Sequence, residues 1–508
     1  MRVQENLSQP YYIRDLFQDG TGVAAPESGE GRILSLVGAI PGDRIAVYES
    51  DLSSGKKAFS PDEYQLLNPS PERQGAFCPH FPACGSCAVE EMGYGAFADL
   101  KRAQLEHLFG RAVPLRTGPA FRYRHKVFWH FSQGRFGYLG RGSGEVQRIE
   151  SCELLASPLE VALEALNERA QEVEGLAQVA GLHLRCNQEG EMSFLLVLRA
   201  APADRLMLDG RSEEVLLSTR EAARALGEIY RAYLMVENCL LNTGYPVQLS
   251  GINFRAERIG GRQQRGVARA YVKGSSRDQE FSGENLGPVS ILIEPEGLRL
   301  TTDALGRGPH PLTASDLEAL SSRILTEEIC GRAFRILPGA FFQVNPALFA
   351  ETCRDIAEYL RGVKTVTEFF SGTGALGQAS LAREVEVRVL ELSQLSLLTA
   401  GQNAALNGFE HYSVRQYDLK SFQEEFEPVE AIIVDPPRAG LSQSFIRALA
   451  RADFQKMVYL SCHPAALKRD LQRFEEAGLK MQVDAQYGYD YFPWTMHVET
   501  VCLMTRVR

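Results

Sequence analysis

The chain has 508 residues, 44% of them hydrophobic and 23% charged, and at roughly 100–200 residues per domain this length calls for two to four domains. The apolar content excludes a wholly disordered chain, and no run of about 18 uncharged apolar residues is present to cross a membrane. A formal charge of −10 argues against a basic coat for nonspecific nucleic-acid binding, and a start without an apolar stretch predicts no secretory signal and a cytoplasmic protein.

Short strands punctuated by turns come first: Tyr11–Phe17, a glycine-rich turn at Gly20–Gly22, Arg32–Val37, a turn at Pro41–Asp43, then Arg44–Tyr48. This spacing predicts a small all-β barrel over residues 1–70, closed by a linker at Asn68–Pro71. A central domain over 71–335 follows. It opens on Cys78, Cys84 and Cys87, three of the chain's ten cysteines packed into one loop, with Cys152 a fourth candidate downstream. In a cytoplasmic chain such thiols favour a metal over disulfides, and four of them suit either zinc or an iron–sulfur cluster.

A helix is predicted from about Ala96 to Phe109, then a strand-like stretch from Phe121 to Arg148. Between Arg116 and Arg148 lie Arg122, Arg124, Lys126, Arg135 and Arg141 against Glu145 alone, interleaved with Phe121, Tyr123, Phe128, Trp129, Phe131, Phe136 and Tyr138. Cations for phosphates and rings for unstacked bases suit single-stranded RNA, and the competing reading is a solvated strand face with a packed aromatic side. A second basic stretch runs from Arg255 to Lys273 and contains Arg258, Arg262, Arg265 and Arg269. From about 155 to 335 the pattern is mixed α and β without a motif, and its loops near Gly260–Gly266 and Gly274–Gly287 are long.

From about 336 to 508, strands alternate with helical patterns, which predicts a parallel sheet of βαβ units. Thr365–Phe370 is strand-like and leads into GTGALG at Gly372–Gly377, and Glu391 ends the next strand nineteen residues after Gly372. Glycines let a ligand approach the backbone and the acid can accept from ribose hydroxyls, a pattern that suits NAD enzymes as well as methyltransferases. The strand Ala431–Val434 then runs into Asp435–Pro436–Pro437–Arg438, whose prolines cannot extend a ladder and fix an extended edge where doubly wound sheets bind ligands. Met457–Ser461 places Cys462 at another strand end, where a nucleophile outweighs a packed thiol.

These residues resemble the RNA 5-methyluridine methyltransferases, which use S-adenosylmethionine. Phe341–Asn345 is similar to the family's FFQVN segment, GTGALG to its cofactor loop, DPPR to its active-site edge, SCHP to its nucleophile segment, and Phe492–Thr500 to its FP-x-T-x-HVET segment. The resemblance implies a Rossmann-like domain over 336–508 with Gln343, Phe370, Gly372, Gly374, Glu391, Asp418 and Asp435 at the cofactor, Cys462 as nucleophile, Glu499 as general base and Asp435 beside them. It also implies a [4Fe–4S] cluster on Cys78, Cys84, Cys87 and Cys152, through CPHFPACGSC, and a TRAM-type barrel at the N-terminus. The implied partner is RNA, 23S ribosomal RNA before transfer RNA, acted on by a monomer. The alternatives are a transfer RNA enzyme, an RNA-binding factor with weakened catalysis, and an NAD-dependent oxidoreductase, which leaves DPPR, SCHP and HVET unexplained. The sequence departs from the family at Glu368, Ser371, Ala375, His463 and Trp494.

The chemistry fits these residue types. Carbon 5 of uracil is too weak a nucleophile for direct attack on a sulfonium methyl, and addition of the Cys462 thiolate to carbon 6 would make it enolate-like. A base, Glu499, must then remove the carbon 5 proton so that the thiolate leaves. Asp435 and Arg438 stand to orient the uracil or to lower the thiol pKa. The target base must be flipped out of a helix or already single-stranded.

Overall fold

The structure is a computed structural model describing residues 6–507 except Lys57, 171–178, 338–339, 420–421, 423–425 and most of 199–323, where 232, 235–248 and four short strand segments are described. Three large sheets carry the fold, joined by a small hairpin, Leu325–Ile329 with Arg332–Ile336.

The N-terminal sheet has six strands. Tyr11–Leu16 pairs on one side with Gly22–Pro26 and on the other with Arg44–Val47. Alternate residues Tyr11, Ile13 and Leu34, Leu36 point inward onto Ile45, Val47 and Phe59, the period of two expected of strands with one buried face. The turn at Gly20–Gly22 is followed by a strand of its own, Gly22–Pro26, and Asn68 belongs to the strand Tyr64–Asn68. The predicted linker is pinned: the buried Asp43 carboxylate accepts from the Ser70 N–H at 2.9 Å and pairs with Arg73. A carboxylate inside a protein needs such donors, and they tie the sheet to the start of the central region.

The central sheet has nine strands, ordered Val146–Arg148, Arg135–Leu139, Lys126–Ser132, Val179–Cys186, Met192–Leu198, Ser250–Arg255, Val267–Val272, Arg299–Leu300 and His310–Pro311. The basic–aromatic stretch supplies three of these, and its rings mostly face inward. Tyr123, Trp129, Phe131, Phe136 and Tyr138 are buried in one core with Leu159, Leu163, Leu182 and Leu184, while Phe121 stays exposed. Among the cations, Arg124 is taken up by the Tyr123 hydroxyl and the Ser86 carbonyl, and Arg122 by Glu160. Packing thus claims most of the rings expected to stack on bases. Of the second basic stretch, Arg258, Arg262 and Arg265 lie outside the described residues, as do the two long loops.

The third sheet has eight strands, ordered Tyr412–Gln416, Glu386–Glu391, Thr365–Phe369, Ala431–Val434, Lys456–Ser461, Glu499–Arg506, Met481–Tyr489 and Leu115–Arg116. The first five run parallel, as the βαβ pattern predicts. The sheet departs from that pattern at its far side, where Glu499–Arg506 and Met481–Tyr489 form an antiparallel pair and Leu115–Arg116 adds an edge strand from the central region. Ala431–Val434 and Met457–Leu460 are buried throughout, as strands covered on both faces must be. The strand order reverses on the two sides of Thr365–Phe369, so the carboxyl ends of Thr365–Phe369 and Ala431–Val434 open a crevice.

The helix Tyr94–Phe109 braces this crevice from the central side. Lys101, fully buried, places its Nζ 2.7 Å from Asp490, and the Tyr94 hydroxyl donates to the other oxygen at 2.9 Å. Burial lowers the Lys101 pKa against the pull of Asp490. Lys101→Met should therefore destabilise the protein by about 3–5 kcal/mol, because it leaves Asp490 buried and unpaired. The double variant with Asp490→Asn should lose less than the sum of the two single losses, as read from urea unfolding.

Candidate active site

A cleft of about 750 Å³ lies at the strand ends. It brings together Gln343, Phe370, Gly372, Glu391, Asp418, Asp435, Cys462 and Glu499, residues spread over more than 150 positions of sequence. The remaining expected residue, Gly374, sits behind this wall. It caps the helix Ala375–Ser380 at φ 71°, and a Cβ there would come within 2.4 Å of the Tyr412 hydroxyl, so it serves the shape of the loop.

The cofactor side is built from three strand ends. Glu391 fixes the glycine loop: one carboxylate oxygen accepts from the Gly372 N–H at 3.1 Å, the other from Leu392 and Ser393 at 2.8 and 2.9 Å. Phe370 holds a left-handed φ of 60°, which turns the chain out of its strand and sets its ring against Phe445. Asp418 is exposed at the mouth, beyond Tyr412–Gln416.

Glu368 lies beneath this loop. Its carboxyl is buried, with one oxygen accepting from the Gly377 N–H at 3.3 Å and the other without a partner. A Cβ on Gly377 would fall 2.2 Å from that oxygen, so a glycine is required above the longer acid. Burial, with Asp435 and Glu391 adding to it, pushes Glu368 up to about 8.

On the reaction side, Asp435 follows its strand directly and Pro436–Arg438 continue along the cleft wall. Burial raises Asp435 to about 7, with Glu391 adding to the effect. Glu499, buried at the start of its strand, is pushed to about 8 by burial and then by Asp435, while Arg438 pulls it down. The half-buried Cys462 thiol rises to about 11 through burial, Glu499 and Asp435, while the Arg438 charge and a backbone hydrogen bond at Cys462 work in the other direction. Arg438 favours a thiolate, and Asp435 opposes one.

Sequence reasoning gave no role to His497 or Phe492, which also line the cleft. His497 stands 3.4 Å from the Arg438 guanidinium, and its pKa is lowered by burial and by that cation, so a neutral ring faces Arg438. Trp494, one of the departures, is buried under the cysteine loop against Phe77 and Tyr94; its indole donates to Ala120, and its carbonyl accepts from Ala88. The thiols of Cys84, Cys87 and Cys152 are buried and that of Cys78 half-buried. They feel one another's charge, Cys78 that of Cys152 and Cys84, and Cys87 that of Cys152. Among the described residues, no three His, Cys, Asp or Glu side chains are grouped to hold a metal ion.

Glu368 carries a testable consequence for stability. Its folded pKa lies above the ordinary 4.5. The stabilising proton is therefore fully retained below about pH 4.5, and the contribution is lost as pH rises through about 8. Glu368→Gln should gain thermal stability over the parent at about pH 9 and gain less, or none, at about pH 5, as measured by melting temperature.

Comparison with known proteins agrees with this geometry. The sequence model described as tRNA (Uracil-5-)-methyltransferase matches residues 331–507. The 23S rRNA (uracil(1939)-C(5))-methyltransferase RlmD of Chromohalobacter salexigens is 25% identical over 510 residues, covering 97% of this chain and 88% of its own. The tRNA (uracil(54)-C(5))-methyltransferase of Pyrococcus furiosus is 23% identical, covering 97% of this chain and 99% of its own. Among solved structures, the Pyrococcus abyssi tRNA (uracil-54, C5)-methyltransferase in complex with S-adenosyl-L-homocysteine shares the fold, with a TM-score of 0.61 at 17% identity over 99% of this chain and 100% of that one. With its crevice at the sheet's reversal point, the chain is similar along nearly its whole length to RNA uracil-5-methyltransferases, and residues 331–507 match that family's sequence model.

Proposed function

We propose that the protein methylates carbon 5 of a uridine in RNA with S-adenosylmethionine as donor, through a covalent cysteine adduct. The observation that carries this is the single cleft in which Cys462, Glu499 and Asp435 meet Gln343, Gly372 and Glu391. S-adenosylmethionine, when bound, supplies an electrophilic methyl group and a positive sulfonium. The cleft suits such a cation, since Glu391, Asp418, Asp435 and Glu499 line it against the single guanidinium of Arg438. Glu391 is held by three backbone N–H groups and keeps lone pairs for ribose hydroxyls.

In this reading Arg438 stabilises the Cys462 thiolate, which adds to carbon 6 of the uracil and so directs the electron pair to carbon 5. After methylation the Glu499 carboxylate takes the carbon 5 proton, and the thiolate departs as the ring double bond re-forms. Raised to about 8, Glu499 is a base matched to neutral pH. Both groups act deprotonated, so the rate should climb with pH through about 8.

We further read the cysteine loop as holding a [4Fe–4S] cluster on Cys78, Cys84, Cys87 and Cys152, a reading that rests on the likeness of CPHFPACGSC to the family's cluster loop, with the Arg124 charge acting on Cys87 and Cys152. Such a cluster would be held by these four thiolates, and it would keep the loop, the neighbouring barrel (which we read as a TRAM module) and the RNA path in place. The enzyme is proposed to work as a cytoplasmic monomer. Ribosomal RNA is the first candidate because the barrel and cluster loop resemble the ribosomal branch; the transfer RNA reading is favoured by the match to the Pyrococcus furiosus enzyme across both chains.

With anaerobically purified protein and methyl-labelled S-adenosylmethionine, we expect labelled 5-methyluridine in one unmodified transcript, ribosomal or transfer, and none with Cys462→Ala. Glu499→Gln should instead accumulate a protein–RNA adduct that survives denaturing electrophoresis, since the thiolate cannot leave until the proton does. RNA binding without label in any transcript would replace this reading by that of an RNA-binding factor. Iron and sulfide analysis should find both in the parent and loss of both in Cys84→Ser.

A further inference from the structure

Residues 341–345 carry Gln343, yet they form neither helix nor strand. Buried irregular backbone must find hydrogen-bond partners outside itself. Here they come from the central sheet. The Arg185 guanidinium donates to the Phe342 and Gln343 carbonyls, the latter at 3.0 Å, and the His125 N–H donates to the Val344 carbonyl at 3.0 Å. The Phe342 ring lies 5.4 Å from the guanidinium carbon.

Arg185 itself sits on Val179–Cys186, opposite Lys126 in the neighbouring strand. It is 5% exposed, and its second terminal nitrogen has no hydrogen-bond partner among the described residues. Among the described residues, no carboxylate is within ion-pair distance of it. The acid whose charge it feels most, Glu327, is bound to Gln188 instead. A guanidinium buried without a carboxylate is costly, and an aliphatic residue would fill the space without that cost. What the arginine adds is two directed donors on two consecutive carbonyls of the segment that brings Gln343 to the cleft.

We propose that Arg185 is a positioning residue for the cofactor: through the Phe342 and Gln343 carbonyls it fixes the backbone from which Gln343 enters the cleft, so that part of the central sheet sets cofactor affinity. This rests on the reading of Gln343 as a cofactor contact. Arg185 touches neither cofactor nor RNA, and its effect is confined to binding on the cofactor side.

The test is calorimetric titration of the full-length protein with S-adenosylhomocysteine, alongside melting temperatures. Arg185→Gln should weaken binding about tenfold or more, as expected for loss of hydrogen bonds from a charged donor. Arg185→Lys, which keeps the charge on a shorter side chain without the planar guanidinium, should lose less. Glu327→Gln, which leaves the carbonyl bonds intact, should stay within about twofold of the parent. In a Gln343→Ala background the Arg185→Lys effect should vanish, since the two act as one unit. Folded Arg185 variants that bind as tightly as the parent would overturn the proposal, as would an equal loss in Glu327→Gln. If Arg185→Gln does not fold, Arg185→Lys with and without Gln343→Ala decides the matter. A parent that binds no S-adenosylhomocysteine would overturn the reading of Gln343 as well, which separates the two failures.

Discussion

Crowded negative charge at the end of one sheet is the constraint around which this protein is arranged. Glu368, Asp435 and Glu499 are each pushed toward neutrality by burial, and each then feels a neighbouring acid: Glu368 feels Asp435 and Glu391, Asp435 feels Glu391, and Glu499 feels Asp435. Such a cluster stays folded because protons are shared out unevenly and because a few donors are aimed at it: the Gly377 N–H on Glu368, the loop amides on Glu391, and Arg438 along the wall. A ligand bearing positive charge is the natural complement of that arrangement. The same crowding, together with burial, raises the Cys462 thiol above the usual range for a cysteine.

The rest of the molecule holds this unfavourable cluster in register. Elements distant in sequence close on it: the helix Tyr94–Phe109 through Lys101 and Asp490, the central sheet through Arg185, and the cysteine loop through Ala88 and Trp494. Two of these contacts, at Lys101 and Arg185, place a buried cation against the chain that carries the active-site side chains. Such burial is expensive in water-free surroundings and yields geometric definition.

Much of the site was legible in the sequence because its chemistry sits on short, strongly patterned runs. A strand such as Ala431–Val434, ended by two prolines, announces where Asp435 must stand, and Lys456–Ser461 does the same for Cys462. The alternation in Lys126–Ser132, with Val127, Trp129 and Phe131 buried, was also there to be read as a one-sided strand, which would have moved those rings from the RNA to the core. By contrast, the Lys101–Asp490 pair spans 389 residues and the Arg185–Gln343 bond 158, and no local pattern predicts which charge will be buried against which backbone. The pinned Asn68–Pro71 stretch belongs to the same class. Its composition reads as a linker, and its fixed position comes from Asp43, a partner outside it.

The short strand Leu115–Arg116 has a consequence for how the enzyme can be divided. It completes the edge of the catalytic sheet by pairing with Gly488 and Tyr489, although more than 200 residues separate it from the first strand of that sheet. A fragment beginning near residue 336 would contain the glycine loop, Cys462 and Glu499, yet Gly488 and Tyr489 at the end of its edge strand would lose their partners. An open edge of that kind pairs with whatever strand it meets, including its own copies. The C-terminal sheet thus takes its last edge strand from the region that precedes it in the chain.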